Sequence, residues 1–440
     1  MQRTFALVFI LLAAGLAHGQ GPITIGKTET LVSDILKEER RIQVYLPGSV
    51  SDTYFYPRRY PVVYLLDGDS HFWTVSAIIK QLSEDGGGLQ FPEMIVVAIG
   101  NTDRIRDLTP TRDTTETGMG RGAGNHSGGG EQFLAFIEKE LIPHIDSAYP
   151  TMPYRVFIGH SLGGLTVVNT LVHHPALFNG YIAIDPSMSW DRGRLLHETP
   201  AALSAGGHER NAPERGEARG KDIFLAAANS LQGGLDTVSV MSDSSNLFSR
   251  HMRAIFSLRD VLVAAASGGG SVSGSGAAVR DNSTGTGAHL RVGWKYYPQY
   301  NHGSVPVVAE YDGLRYLFDF YRLDIRHEDI VGSSAAGDTL FAAHYAGISR
   351  RMGYKVSPPE VFVNNIGYDL MGRRQYDRAF YFFELNRQNY PNSFNVYDSM
   401  GDFFLARGDK KRAMESYAQA LALRDYPDTR KKLERLQAEK

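Results

Sequence analysis

The sequence predicts an α/β fold: one large domain on a doubly wound, mostly parallel sheet, followed by a small all-helical unit. Three observations carry this. Short continuous apolar runs recur at 61–66 (PVVYLL), 94–99 (MIVVAI) and 222–228 (DIFLAAA), as strands buried on both faces of a parallel sheet require. Segments with helical spacing alternate with them, the pattern of wound α/β units. Beyond about residue 335 the strand pattern stops and a helical period begins.

The elements follow in order. Residues 41–47 (RIQVYLP) alternate like a half-buried strand, and helical spacing at 70–82 separates the strands 61–66 and 94–99. An amphipathic helix is expected at 131–146, a strand at 154–159 and a helix at 162–174. Strands at 179–184, 222–228 and 291–297 then alternate with a helix at 244–258, and helix 306–321 closes the domain. Two segments interrupt the pattern. Residues 112–130 hold seven glycines among Thr, Ser and Arg, and 264–288 reads AAASGGGSVSGSGAAVRDNSTGTGA. Both are too poor in apolar side chains to offset their ordering entropy and are expected to be mobile surface loops.

The ends have their own signals. Arg3, the apolar run Phe5–Leu16 and the small-x-small triplet Ala17-His18-Gly19 form a secretory signal peptide pattern, with 1–19 removed on export. The apolar run is too short to span a bilayer as a folded helix, and no other run reaches that length. A periplasmic or secreted protein is expected, with no membrane span in the mature chain. In the C-terminal segment 335–440, Gly367 and Gly401, Ala379 and Ala413, and Phe383 and Tyr417 repeat at a spacing of 34. A small residue followed by an aromatic at this period resembles the tetratricopeptide repeat. Segment 338–352 reads as half of a third unit and 428–440 as a charged capping helix.

Composition excludes several classes of chemistry. There is no cysteine, so disulfides, thiolate nucleophiles and cysteine-held metal sites are ruled out. A net charge of −2, from 46 Lys+Arg against 48 Asp+Glu, argues against nucleic acid as a partner. With no zinc-type His cluster and no phosphate-cradling P-loop motif, no cofactor and no metal is expected.

Gly159-His160-Ser161-Leu162-Gly163 fits G-x-S-x-G, placed where a buried strand ends and an amphipathic helix begins. The serine sits on a turn too tight for flanking side chains, and it needs a base, which in turn needs an orienting acid. In this arrangement the order is Ser, acid, His. His302, in Asn301-His302-Gly303, lies between the last strand and the closing helix. For the acid, Asp236 in the loop after 222–228 ranks first. Asp243, which has a bland explanation as a helix cap, ranks second, and Asp185 third. The oxyanion donors are expected to be the backbone amides of Leu162 and of Asp69, in the loop Asp67-Gly68-Asp69.

Several segments together resemble the family named Putative esterase within the α/β-hydrolases. It includes enterochelin-type siderophore esterases, S-formylglutathione hydrolase, feruloyl esterases and mycolyltransferases. The carrying segments are YPVVYLLDGD (60–69), IGNTDRIRDLTPT (99–111), FIGHSLGG (157–164), IDPSMSWD (184–191) and NHGSVP (301–306). They cover residues 27–321. The resemblance implies the α/β-hydrolase fold, Ser161 as nucleophile, His302 as base, and the amides of Asp69 and Leu162 as oxyanion donors. It favours Asp236 through the segments 228–230 and 234–237, although some siderophore esterases that this chain resembles work with a Ser–His pair alone. Arg106 and Trp190, on loops at the carboxyl ends of strands, are candidates to meet an anionic group and to stack on a substrate ring, respectively. Each has a structural alternative: Arg106 paired with a carboxylate, Trp190 packed beneath the turn.

A secreted serine carboxylic-ester hydrolase acting on a small-molecule ester is therefore expected for 20–330. Two rivals stand beside it: an acyltransferase of the same fold, and a non-catalytic interaction protein whose repeats in 335–440 bind a peptide or a second copy in a homodimer.

Overall fold

A computed structural model describes residues 24–52, 54, 57–83, 90–113, 126–205, 220–230, 247–267, 290–323, 327–332 and 336–438. The signal pattern and most of the two glycine-rich segments lie outside these ranges.

The strands are β1 (Lys27–Ser33), β2 (Glu38–Tyr45), β3 (Tyr60–Leu65), β4 (Ile95–Ile99), β5 (Thr151–His160), β6 (Gly180–Ile184), β7 (Asp222–Ala228) and β8 (Arg291–Tyr297). They form one eight-stranded sheet in the order β1-β2-β4-β3-β5-β6-β7-β8. Pairings β1–β2 and β2–β4 are antiparallel, and every pairing from β4 to β8 is parallel. The parallel strands β3, β4, β6 and β7 are buried at every position, so the apolar runs reflect burial on two faces.

Around the sheet lie α1 (Gly68–Ser83), α2 (Gly130–Phe136) running through a π-helical turn into α3 (Ile142–Ala148), α4 (Leu162–His173), α5 (Arg194–Ala205), α6 (Leu247–Ala266) and α7 (Val305–Leu317). The pleat divides β3 between two cores. Val62 and Tyr64 face the core filled by Phe133 of α2, Leu165 and Val168 of α4 and Met252 and Ile255 of α6. Val63 and Leu65 face the core filled by Phe72 and Val75 of α1 and by Ala309 and Leu314 of α7. Successive strand residues point to opposite faces, so one strand supplies both layers.

The chain continues as α8 (His327–Val331), α9 (Ala336–Met352), α10 (Glu360–Gly372), α11 (Tyr376–Asn389), α12 (Phe394–Ala406), α13 (Lys410–Leu423) and α14 (Pro427–Ala438). Phe341, Ile348, Val363, Phe382 and Tyr417 join the core on the α1/α7 face, so this helical region shares that core. Arg351 of α9 donates to Asp222 at the start of β7 at 3.0 Å. Inside the region a Cβ on Gly367 would lie 2.7 Å from the Phe383 ring, and one on Gly401 would lie 2.4 Å from the Tyr417 ring. The 34-residue spacing thus marks two equivalent glycine–aromatic helix contacts.

Four differences from the sequence reading stand out. Strand β1 was not expected, because it is an edge strand with only Ser33 buried and so lacks an apolar alternation. Helix α5 also went unread, since Pro200 lies within it. Helix α6 reaches Ala266, which takes 264–266 out of the expected loop; the alanines that looked like loop material extend the helix. Gly130 likewise opens α2 instead of ending a loop.

Candidate active site

Strand β5 delivers Ser161 into a sharp turn before α4. The serine has φ 60 and ψ −116, a conformation that an L side chain rarely adopts. Space forces the glycines around it. A Cβ on Gly159 would sit 2.4 Å from the backbone of Gly163, and one on Gly164 would sit 2.9 Å from Pro186. The turn is tied to the next strand by hydrogen bonds from the Ser161 amide to the Ile184 carbonyl and from the Ser187 amide to the Ser161 carbonyl, both 3.0 Å.

His302, between β8 and α7, places Nε2 3.1 Å from Ser161 Oγ. Its Nδ1 lies 2.6 Å from Oδ2 of Asp185, the residue that follows β6. The carboxylate on His302 is therefore Asp185. Asp236 and Asp243 lie outside the described residues. Asp185 is fully buried. Burial alone would raise its pKa, yet hydrogen bonds from His251 and His302 and from the Ala228 amide hold the carboxyl well below the ordinary carboxylate range. The Ala228 amide donates to Oδ1 at 2.9 Å, and Oδ2 meets the two histidines and accepts from Ser230 Oγ at 3.4 Å.

Two helix starts flank the serine. Strands β3 and β5 are parallel neighbours, with Leu65 opposite Ile158, so α1 and α4 begin side by side at the sheet's carboxyl edge. The amides of Asp69 and Leu162 fall in their first turns, where backbone N–H groups have no acceptor within the helix. This is the setting that oxyanion donors need. Gly68 lets the loop lie against the sheet, since a Cβ there would be 2.9 Å from the Ala98 carbonyl carbon. Asp67, at φ 54, is clamped by Arg104 through Nε at 2.6 Å and Nη2 at 2.9 Å, and by Asn101 Nδ2 at 2.7 Å. Burial opposes its ionisation, but the Arg104 guanidinium holds its pKa down. The Asp69 side chain pairs with Arg41.

The other candidates are placed differently. Arg106 donates to Glu38 through Nη1 and Nη2 at 3.0 and 2.6 Å and to Asp107 through Nε at 2.7 Å. Its guanidinium is held by carboxylates of the chain itself. Trp190 donates Nε1 to the Thr111 carbonyl at 3.1 Å and packs against the core on the α2/α4 face.

The geometry also adds residues not singled out above. Ser187 Oγ is 3.3 Å from Ser161 Oγ. His251 of α6 brings Nε2 to 3.3 Å from Asp185 Oδ2. The His160 ring lies tilted 4.5 Å from His302 and edge-on 5.9 Å from His71, and His71 pairs with buried Glu310 at 2.7 Å. Burial, then the neighbouring His302 and His71, lowers the His160 pKa to about 3. The one signal available in sequence was position: Asp185 and Ser187 follow a buried strand at the sheet's carboxyl edge, where sites form in open α/β folds. Nothing local marks His251, which looks like any histidine on an amphipathic helix.

The family described as Putative esterase matches residues 33–253. The chain belongs to this esterase family. Among curated relatives, the ferri-bacillibactin esterase BesA of Bacillus subtilis is 34% identical over 192 residues, 41% of this chain and 65% of that protein. The siderophore triacetylfusarinine C esterase of Aspergillus fumigatus is 31% identical over 156 residues, 32% of this chain and 49% of that protein. The matched region thus spans about half to two thirds of these relatives' length. Among solved structures, an IroE-like serine hydrolase from Shewanella oneidensis is 28% identical with a TM-score of 0.63, covering 82% of this esterase-family chain and 99% of that one. An uncharacterised protein from Capnocytophaga ochracea shares the fold over 94% of the chain, at a TM-score of 0.52 and 16% identity. Among the described residues no helix is long and apolar enough to cross a membrane.

Proposed function

We propose that this chain is an exported serine carboxylic-ester hydrolase that works through an acyl-enzyme on Ser161. The observation that carries the reading is the unbroken chain Ser161 Oγ–His302–Asp185, with spacings of 3.1 and 2.6 Å. His302 Nε2 takes the hydroxyl proton as Oγ attacks the ester carbonyl, and Asp185 steadies the resulting imidazolium. The oxyanion forms against the amides of Asp69 and Leu162. Collapse of this intermediate expels the alcohol, which takes the proton from His302. Water, deprotonated by the same nitrogen, then releases the acid and frees Ser161.

The relatives' activities support a siderophore-type ester as substrate. The leader-like pattern in 1–19 supports export. The helical region 335–440 acts on this reading as a cover for the α1/α7 face of the sheet, with which it shares a core. Arg106 and Trp190 then serve structure, because both are engaged by neighbouring groups.

The test is Ser161→Ala assayed with p-nitrophenyl acetate and with a panel of siderophore, feruloyl, acetyl-sugar and short-chain esters. Turnover is expected to fall at least about 10⁴-fold, and a fluorophosphonate is expected to label the wild type at Ser161 and leave the variant unlabelled. Undiminished hydrolysis by the variant would overturn the assignment. Within the panel, siderophore esters are expected to give the highest kcat/KM.

A further inference from the structure

A Ser–His–Asp chain requires one imidazole on its acid, and this protein supplies two. His251 reaches in from α6, a helix that contributes nothing else to the proposed chemistry. Its Nε2 lies 3.3 Å from Asp185 Oδ2, the oxygen that already meets His302 Nδ1 at 2.6 Å. The two imidazole rings stand edge to face, 5.7 Å apart at 83°. The three donor atoms all lie within 4.8 Å of one another.

We propose that Asp185, His251 and His302 form a binding site for a zinc-like divalent transition cation, and that occupancy switches the hydrolase off. The inhibitory part rests on the function proposed above; the binding part does not.

The donor set carries the choice of metal. Two imidazole nitrogens and one carboxylate oxygen are a zinc set with one position left for water, whereas magnesium and calcium favour oxygen ligands. The Ala228 amide on Oδ1 fixes the carboxylate so that Oδ2 faces the imidazoles, as second-layer hydrogen bonds do in metal sites. Burial of Asp185 makes its negative charge costly to leave uncompensated. The His302 side chain is 43% exposed and opens a route for the ion.

The proton balance explains the switch. In the working triad His302 carries its proton on Nδ1, towards Asp185, and offers the Nε2 lone pair to Ser161. A cation can bind Nδ1 only if that proton leaves. The neutral ring then holds a proton on Nε2, where an N–H faces Ser161 Oγ and cannot accept from it. His251 likewise binds through Nε2 with its proton on Nδ1. Each ring gives up one proton and takes up one from water, so both stay neutral and the base is lost without rearranging the backbone.

The binding experiment uses the full chain, without any histidine tag, carrying Ser161→Ala. This variant retains all three donors and does not turn over. Calorimetric titration with zinc chloride is expected to show one strong site that equimolar magnesium does not displace. Adding His251→Gln is expected to weaken it at least about 30-fold, since a lost ligand costs no less than a lost outer-layer partner. His251→Phe serves as a second variant if the first folds poorly. In the activity arm, zinc is expected to inhibit wild-type p-nitrophenyl acetate hydrolysis reversibly with EDTA. Half-inhibition should move up by a similar factor in His251→Gln, each protein being compared with its own zinc-free rate. Zinc binding that is absent, or that survives both His251 substitutions, overturns the site. Binding without inhibition overturns the switch alone. If the wild type hydrolyses no ester at all, the calorimetry still decides the site while the functional reading falls by itself.

Discussion

Oδ2 of Asp185 lies 2.6 Å from Nδ1 of His302 across 117 residues of chain. The contact exists because β6 and the β8–α7 loop end at the same edge of the sheet. It defines which ring nitrogen of His302 carries the proton. Asp185→Asn keeps the volume but offers His302 an amide and favours the wrong tautomer. At neutral pH kcat is expected to fall about 10⁴-fold with near-native folding by circular dichroism. Asp236→Asn is expected to stay within about two-fold of wild type, as Asp185 already occupies Nδ1. A collapse on changing Asp236 and indifference to changing Asp185 would reverse the assignment.

Asp67 ties the Asp67–Asp69 loop to Arg104 and Asn101. Removing its charge frees the amide of Asp69 to wander from the developing oxyanion. Asp67→Asn is expected to lower kcat about 10- to 100-fold, less than the roughly 10²–10³-fold cost of losing an oxyanion donor outright, while KM for a small ester changes little. A rise in KM at constant kcat would show that the loop binds ground-state substrate instead.

His160 sets a pH dependence of stability. Its folded pKa is about 3 because burial and neighbouring histidines disfavour the cation, whereas an unfolded histidine titrates near about 6.5. Between these values the unfolded chain binds a proton that the folded chain refuses. The stability is fully present above the unfolded value and is lost as pH falls towards the folded one. His160→Phe keeps a ring and removes the titration. Relative to wild type, urea unfolding of this variant is expected to improve by about 1–2 kcal/mol between pH 7 and pH 5. A difference that does not change with pH would place the titration elsewhere.

The glycines of the helical region have opposite predicted signs. Gly401→Ala pushes a methyl to 2.4 Å from the buried Tyr417 ring, whose hydroxyl is held by Asp402 at 2.7 Å. Overpacking is expected to lower stability by about 1–3 kcal/mol. Gly372, at the end of α10, has nothing within 4 Å of an added Cβ, so Gly372→Ala is expected to raise stability by about 0.5 kcal/mol. Thermal melts of the two variants check both signs.

Much of this architecture was legible because it rests on local rules. Strands β3, β4, β6 and β7 are buried on both faces, so each is a continuous apolar run. Ser161 announces itself because its strained turn excludes side chains at 159 and 164 and leaves little room at 163. His302 followed from its place between the last strand and the closing helix. Strand β1 escaped because an edge strand with little burial has no pattern to read. His251 and Ser187 escaped because a functional histidine on an amphipathic helix, or a serine after a strand, has no local signature.

The amino-acid order by itself therefore determined the strand–helix alternation, the tight turn at Ser161, the placement of His302 between the last strand and the closing helix, and the glycine–aromatic period of the C-terminal helices. Each of these is a constraint between residues close in the chain or spaced at a regular period. Only the tertiary structure decided that Asp185 is the carboxylate on His302, that His251 shares it, and that Arg106 and Trp190 are engaged by other parts of the chain. Those relationships depend on which strand ends lie side by side, and sheet order places neighbours by packing, independently of their distance along the sequence.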